Sequence, residues 1–198
     1  LKIQGASGHS SNPALGANAI DGSGIVIEQL LKFRQELANR YQDPGFTVAS
    51  PTLNLGCIHG GDNPNRICDH VDMAFDVRVL PGMDNTNIMT EIESRLTPLL
   101  ADQGLSMSLE LFHDSLPPFQ TEGDELLAAT RELTGCEPKT VAFATEAPFL
   151  SKLGMQTVVL GPGSIDQAHQ PNEFVELRQI EPTIAILRGL IAKHCCSE

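Results

Sequence analysis

The sequence lacks any apolar run approaching the ~18 residues of a helical membrane span, so a membrane is not among its expected partners. It is poor in basic residues: 13 Lys and Arg stand against 25 Asp and Glu, for a net charge of −12. So acidic a chain repels phosphate backbones, and no basic run offsets it, which excludes nucleic acid as a partner. No C-x-x-C spacing occurs. The five cysteines, Cys57, Cys68, Cys136, Cys195 and Cys196, are scattered and follow no signal peptide. They read as reduced thiols of a cytoplasmic protein, each a small buried hydrophobe. Repeats and low-complexity segments are missing as well. So is an initiator methionine, and residues 1–4 already alternate like a strand, so the sequence reads as a piece of a longer chain.

What is present is ordinary for a globular protein. Of 198 residues, 41% are apolar and 19% charged, enough for one or two domains. Residues 1–112 read as β-α-β-β-α-β. A first strand covers 1–5. A helix over 17–41 carries Ile20, Ile27, Leu30, Leu31, Leu37 and Tyr41 near helical spacing. A second strand covers 52–59, with Leu53, Leu55 and Cys57 on one face. The third, 67–79, points Val71, Met73, Phe75, Val77 and Val79 one way and His70, Asp72, Asp76 and Arg78 the other. Asp84 or Asn85 caps a helix with the stripe Ile88, Ile92, Leu96 and Leu99. Pro98 threatens to kink or shorten it, and Gly104 closes it. A fourth strand covers 105–111. This pattern predicts a ferredoxin-like α+β fold, a four-stranded sheet in the order 4-1-3-2 with both helices on its apolar face.

Pro117-Pro118 stiffens the segment 113–120, and the domain boundary is placed there, giving domains 1–112 and 113–198. Beyond it the expected elements are a helix over 121–135 capped by Thr121, a short strand 140–143, a helix 147–153, an apolar run 156–160 broken by Gly161-Pro162-Gly163, and a helix 181–194 with Pro182 in its first turn. Alternating α and β indicates a helix-covered sheet, yet two strands are thin for one, so this half reads as part of an α/β domain.

Six histidines are candidates for chemistry. His169 lies on a Gly-rich loop after an apolar run, where backbone N–H groups meet anions and a neutral imidazole can bind metal; a surface loop histidine fits the same pattern. His70-Val71-Asp72 has a chelating spacing but no second cluster beside it, and reads as a solvated sheet face. His9 follows the first strand among the capping residues Ser10, Ser11 and Asn12. Asn65 lies in the polar turn between strands two and three. Arg78 has Asp72 and Asp76 as simple partners. Glu146 and Thr145 precede a helix, where a carboxylate is stabilised by the helix dipole.

In the ferredoxin-like sheet the end of strand one meets the start of strand three. His9 and Asn65 therefore share one end, and Arg78, 13 residues past Asn65, lies roughly 40 Å away. One chain cannot bring all three to one site; two copies can.

The segments IQGASGHSSNPALGANAI (3–20), PTLNLGCIHGGDNPNRIC (51–68), DVRVLPGM (76–83), ATEAPFLSKLG (144–154) and VLGPGSIDQAHQPNEF (159–174) spread over nearly the whole chain. Together they resemble the dinuclear zinc amidohydrolases, the family of carboxypeptidase G and succinyl-diaminopimelate desuccinylase. Within it the match looks closest to the bacterial deacetylases of N-acetylornithine. The resemblance implies that 1–112 is a lid and dimerisation domain and that 113–198 is the C-terminal part of a zinc-peptidase-like catalytic domain. It implies a homodimer formed through 1–112 and a small N-acyl amino acid as substrate. The implied cofactor is zinc, two ions per subunit, with cobalt as a substitute. The implied reaction is amide hydrolysis in arginine biosynthesis, with desuccinylation the nearest rival and a non-catalytic dimerisation module the reading of another class.

By the same resemblance His169 is a metal ligand and His9 a catalytic donor acting with Asn65 in the neighbouring subunit's site. Arg78 holds a substrate carboxylate, and Thr145, Glu146, Gly163 and Ser164 line the substrate. The family's remaining ligands, a His-x-Asp pair, a bridging Asp and a Glu-Glu, find no match. The sole His-x-Asp is His70-Val71-Asp72, inside the lid, and Glu-Glu does not occur. The chain alone is therefore expected to be inactive and to hold well under one zinc.

Overall fold

The alternation of residues 70–79 becomes the central ladder of a sheet. The computed structural model describes residues 1–112, 116–141 and 143–196. It divides into two compact units, Leu1–Pro118 and Phe119–Glu198. The first runs β1 (Lys2–Gln4), β2 (Gly8–His9), α1 (Ala19–Arg40), β3 (Thr52–Gly60), β4 (Arg66–Ile67), β5 (His70–Arg78), α2 (Asn85–Ala101) and β6 (Ser106–Ser108). The main sheet has the order β3-β5-β1-β6 with every neighbour antiparallel, as the ferredoxin-like reading requires.

The core lies between the helices and one face of this sheet. Val26, Leu30, Phe33 and Leu37 of α1 and Ile92, Leu96 and Leu100 of α2 pack with Ile3, Val71 and Met73. Each such side chain contributes roughly 1.5–3 kcal/mol by leaving water. Asn18 caps α1 by accepting the Ile20 N–H, and Asp84 caps α2 by accepting from Thr86 and Asn87. Bidentate Arg40–Glu91 and Arg95–Glu36 pairs tie the helices together across their exposed edge.

The structure corrects several details. The buried face of α1 is rotated from the expected one: Ile20 is exposed, while Val26 and Phe33 are fully buried. Gly22 is buried as well, since a Cβ there would stand 2.4 Å from Leu105 Cδ1. On α2 it is Leu100, not Leu99, that completes the stripe, and the helix runs past Pro98 to Ala101. The expected strand 67–79 is two strands. At the break the Cys68 and Asp69 carbonyls accept from Ala19 and Gly5 N–H and leave the ladder.

Cys57 does not share the face of Leu53 and Leu55. A β-bulge between Leu55 and Cys57 shifts the register, so Cys57 stands opposite Ala74 and Ile58 opposite Met73. All five cysteines are free, and only Cys68 is buried; Cys57, Cys136, Cys195 and Cys196 are exposed.

The second unit holds α3 (Asp124–Thr134), α4 (Ala147–Lys152) and α5 (Ile180–Cys195). Thr121 does not cap α3; the helix begins after Gly123 without a side-chain cap and ends at left-handed Gly135. The expected strand 140–143 includes Ala142, outside the described residues. Thr140, Val141 and Phe143 join no strand among the described residues, and neither does 156–160. Ile184, Leu187 and Ile191 leave an apolar stripe of α5 exposed. No described helix is long and apolar enough to cross a membrane.

Candidate functional site

The loop after β1 doubles back on itself. Ala6 and Ala17 form an isolated bridge, and a Cβ on Gly16 would stand 2.3 Å from the Ala6 carbonyl, so only glycine fits there. This folding delivers β2 to β4, with His9 in register with Arg66. The Ser10 N–H donates to the Asn65 carbonyl at 3.0 Å. His9 and Asn65, 56 positions apart in sequence, are thus brought together at a separate two-stranded β2-β4 sheet.

His9 is exposed, and its ring is set by Ser11. The Ser11 N–H donates to His9 Nδ1 at 3.1 Å, and Ser11 Oγ lies 2.8 Å from the same nitrogen. With Nδ1 accepting, the neutral ring carries its proton on Nε2 and presents Nε2–H as its donor. Asn65 is exposed, its N–H donating to Asn63 Oδ1 at 3.1 Å.

Arg78 closes the other end of β5, opposite Thr52. The span from His70 to Arg78 is ~26 Å of strand, and the break before His70 separates it further from Asn65. Arg78 Nε donates to Asp76 Oδ2 at 2.7 Å, and Asp72 instead lies 2.7 Å from His70 Nε2. Both pairs are exposed and contribute little to stability. The first unit therefore brings His9 to Asn65 and does not bring Arg78 to either.

In the second unit, Thr145 Oγ1 accepts the Ala147 N–H at 3.2 Å and starts α4, while the exposed Glu146 supplies its carbonyl to Phe149. Gly163 is left-handed, with φ 100, and its N–H donates to Gln179 Oε1 at 2.6 Å. Ser164 Oγ accepts the Asp166 N–H at 3.3 Å and caps a short turn of helix. Gly163 and Ser164 line a pocket of about 100 Å³ with Gln167, Phe174, Glu176 and Gln179. Glu176 is paired with Arg178. His169 is exposed and has φ 61, and its N–H donates to Glu173 Oε2 at 3.2 Å.

Sequence reading took Ser11 as a capping residue and did not single out Glu173 or Gln179. Ser11 had a usable signal, two residues after a histidine in a turn. Gln179 had none, since its bond to Gly163 spans 16 residues.

A dinuclear centre needs several imidazole and carboxylate donors around each ion. Among the described residues no group of three or more His, Cys, Asp or Glu converges to hold one. The described residues do not by themselves fit such a centre.

The profile of the peptidase dimerisation domain matches residues 1–103, and the chain belongs to that family. Over nearly all its length the chain is also similar to whole enzymes. It is 42% identical over 197 residues to the acetylornithine deacetylase of Vibrio campbellii, covering 99% of this chain and 52% of that one. It is 41% identical over 196 residues to that of Aliivibrio salmonicida, covering 98% and 52%. The chain spans about half the length of the curated relatives it matches. Among solved structures, a tripeptidase from Staphylococcus aureus superimposes with a TM-score of 0.69 at 20% identity, covering 99% of this chain and 50% of that one. The aminopeptidase PepT from Bacillus cereus does so with 0.71 at 18%, covering 96% and 49%. These two share the fold.

Proposed function

We propose that this chain is part of a metal-dependent amidohydrolase, with zinc as its ion, that hydrolyses N2-acetyl-L-ornithine to ornithine and acetate in the arginine biosynthesis of the cytoplasm. The observation that carries the reading is the separation of its polar residues between the two-stranded β2-β4 sheet and the far end of β5 in the four-stranded sheet. His9 and Asn65 stand at the former and Arg78 at the latter. Similarity of 42% to a named acetylornithine deacetylase along 197 residues supports the choice of substrate.

In this reading His9 of one subunit donates its Nε2–H to the charge developing on the scissile carbonyl oxygen in its neighbour's site, beside Asn65. The Ser11 contact that fixes the tautomer suits that role. Arg78 pairs with the substrate α-carboxylate, as a planar guanidinium does best. Thr145, Glu146, Gly163 and Ser164 line the substrate, and His169 is one metal ligand of a set that this chain alone does not complete. The domain boundary at 112/113 belongs to this reading.

The dimer forms through β3. It is an edge strand, its mid-strand has neither Lys nor Pro, and Ile58 is 49% exposed. Pairing with its two-fold copy closes at two. A second reading, a dimerisation module without catalysis of its own, is favoured by the family match to residues 1–103.

Hydrolysis of N2-acetyl-L-ornithine and N-succinyl-diaminopimelate, with zinc stoichiometry, tests these readings on this chain and on the full-length gene product. The expected result is acetylornithine hydrolysis by the full-length product and none by this chain, which retains well under one zinc after dialysis. In the full-length product His9→Asn should lower kcat by roughly 10²–10³ with zinc content unchanged. Preference for the succinyl substrate would overturn the specificity. Ile58→Lys should shift sedimentation from dimer to monomer, and a wild-type monomer at micromolar concentration would refute the interface.

A further inference from the structure

His169 is the one non-glycine residue with positive φ among the described residues. A side chain with a Cβ resists that region, so a surface loop holding it there must be pinned. Glu173 supplies the pin: its Oε2 accepts the His169 N–H at 3.2 Å. The same device recurs at the other end of the loop. Gly163 has φ 100, and its N–H is accepted by Gln179 Oε1 at 2.6 Å. Two left-handed residues six positions apart, both candidates for the site, are thus each held by a side-chain oxygen from further along the chain.

We propose that Glu173 and Gln179 are positioning residues that fix the loop 161–173 and aim His169 and Ser164. Glu173 sets the backbone from which the imidazole projects. Gln179, at the start of α5, anchors Gly163 to a helix, so the turn preceding Ser164 cannot rotate independently. The Gly163 N–H is consequently not a vacant donor for substrate; it belongs to the scaffold. The Ser164 hydroxyl, which lines the same pocket, is itself bonded to Asp166. The proposal rests on the reading of this loop as site-lining.

The test is amide hydrogen exchange by NMR on the full chain, with no metal or substrate present, so it stands apart from the hydrolysis assay. Glu173→Ala should raise exchange at His169 by about tenfold and leave Gly163 and the α5 amides unchanged. Glu173→Gln, whose amide oxygen still accepts, should restore it. Gln179→Ala should do the same at Gly163 alone, and Gln179→Glu should restore that. Unchanged exchange, absence of rescue by the conservative variants, or loss of α5 protection together with the loop would overturn the proposal. If the exchange pattern holds and the full-length product hydrolyses no N-acyl amino acid, the functional reading fails and the positioning contacts remain.

Discussion

The first unit buries Phe33, Leu30, Leu37, Ile92, Leu96 and Leu100 completely; in the second, Ala129, Thr130 and Ala147 are the residues buried among those described. The two halves have similar sequence character, and both supply amphipathic helices. They differ in what those helices meet. α1 and α2 lie on a four-stranded sheet whose inner face is apolar, so each stripe is covered. α5 packs on α3 along one line and leaves Ile184, Leu187 and Ile191 bare. The polar ties differ too: among the described residues they are two bidentate Arg–Glu pairs between α1 and α2, and a Lys193–Glu132 contact at 2.9 Å between α3 and α5. A helix gains most of its stability from the face it buries, and among the described residues the first unit covers that face more fully.

The comparison breaks most directly in hydrogen exchange. Amides of α1 should exchange about 10³-fold more slowly than those of α5, because global unfolding is needed to open one and local opening suffices for the other. Equal protection would show that the second unit holds itself together. Next in size is core truncation. Phe33→Ala should cost about 3–5 kcal/mol in denaturant unfolding, whereas Leu187→Ala on the exposed stripe should change stability by less than about 0.5 kcal/mol. A smaller effect is expected at the cap of α2: Asp84→Ala removes the acceptor of two N–H groups and should cost about 1 kcal/mol.

The smallest effect is in pH. Hydrogen bonding from Arg95 holds the Glu36 carboxyl below the usual glutamate range, and Glu36 in turn raises Arg95. A carboxyl with a depressed folded pKa stabilises above its unfolded value, about 4.3, and that contribution disappears as pH falls through the folded value. Glu36→Gln should therefore lower Tm slightly at pH 7 and leave it unchanged at the acid end of that window. A deficit that persists in acid would assign the effect to packing of Arg95 over Phe33 instead.

Much of the first unit was legible because alternation and helical spacing are local. Val71 and Met73 against His70 and Asp72 announced a half-buried strand, and Asp84 announced a helix start. The bulge at Leu55–Cys57 was not legible, because an inserted residue looks like any other until its partner strand fixes the register. The rotation of α1 that exposes Ile20 and buries Phe33 was hidden for a similar reason: the stripe is wide, and the sheet chooses its centre. Of the candidate site, the nearness of His9 to Asn65 followed from strand order, since a ferredoxin-like sheet has one way to place those ends. The carbonyl bond that joins them and the Ser11 contact that sets the His9 ring did not.

By itself the sequence determined the four-stranded layout, the helix positions in both units and the motifs that mark the chain as a relative of peptidase dimerisation domains. Those are matters of period, capping and residue order. The tertiary structure alone decided which side of β3 carries Cys57, that Gly163 donates to Gln179, and that Glu173 holds His169 in a left-handed backbone. Each depends on where a distant or downstream atom comes to rest, and no local propensity fixes the position of an acceptor 16 residues away.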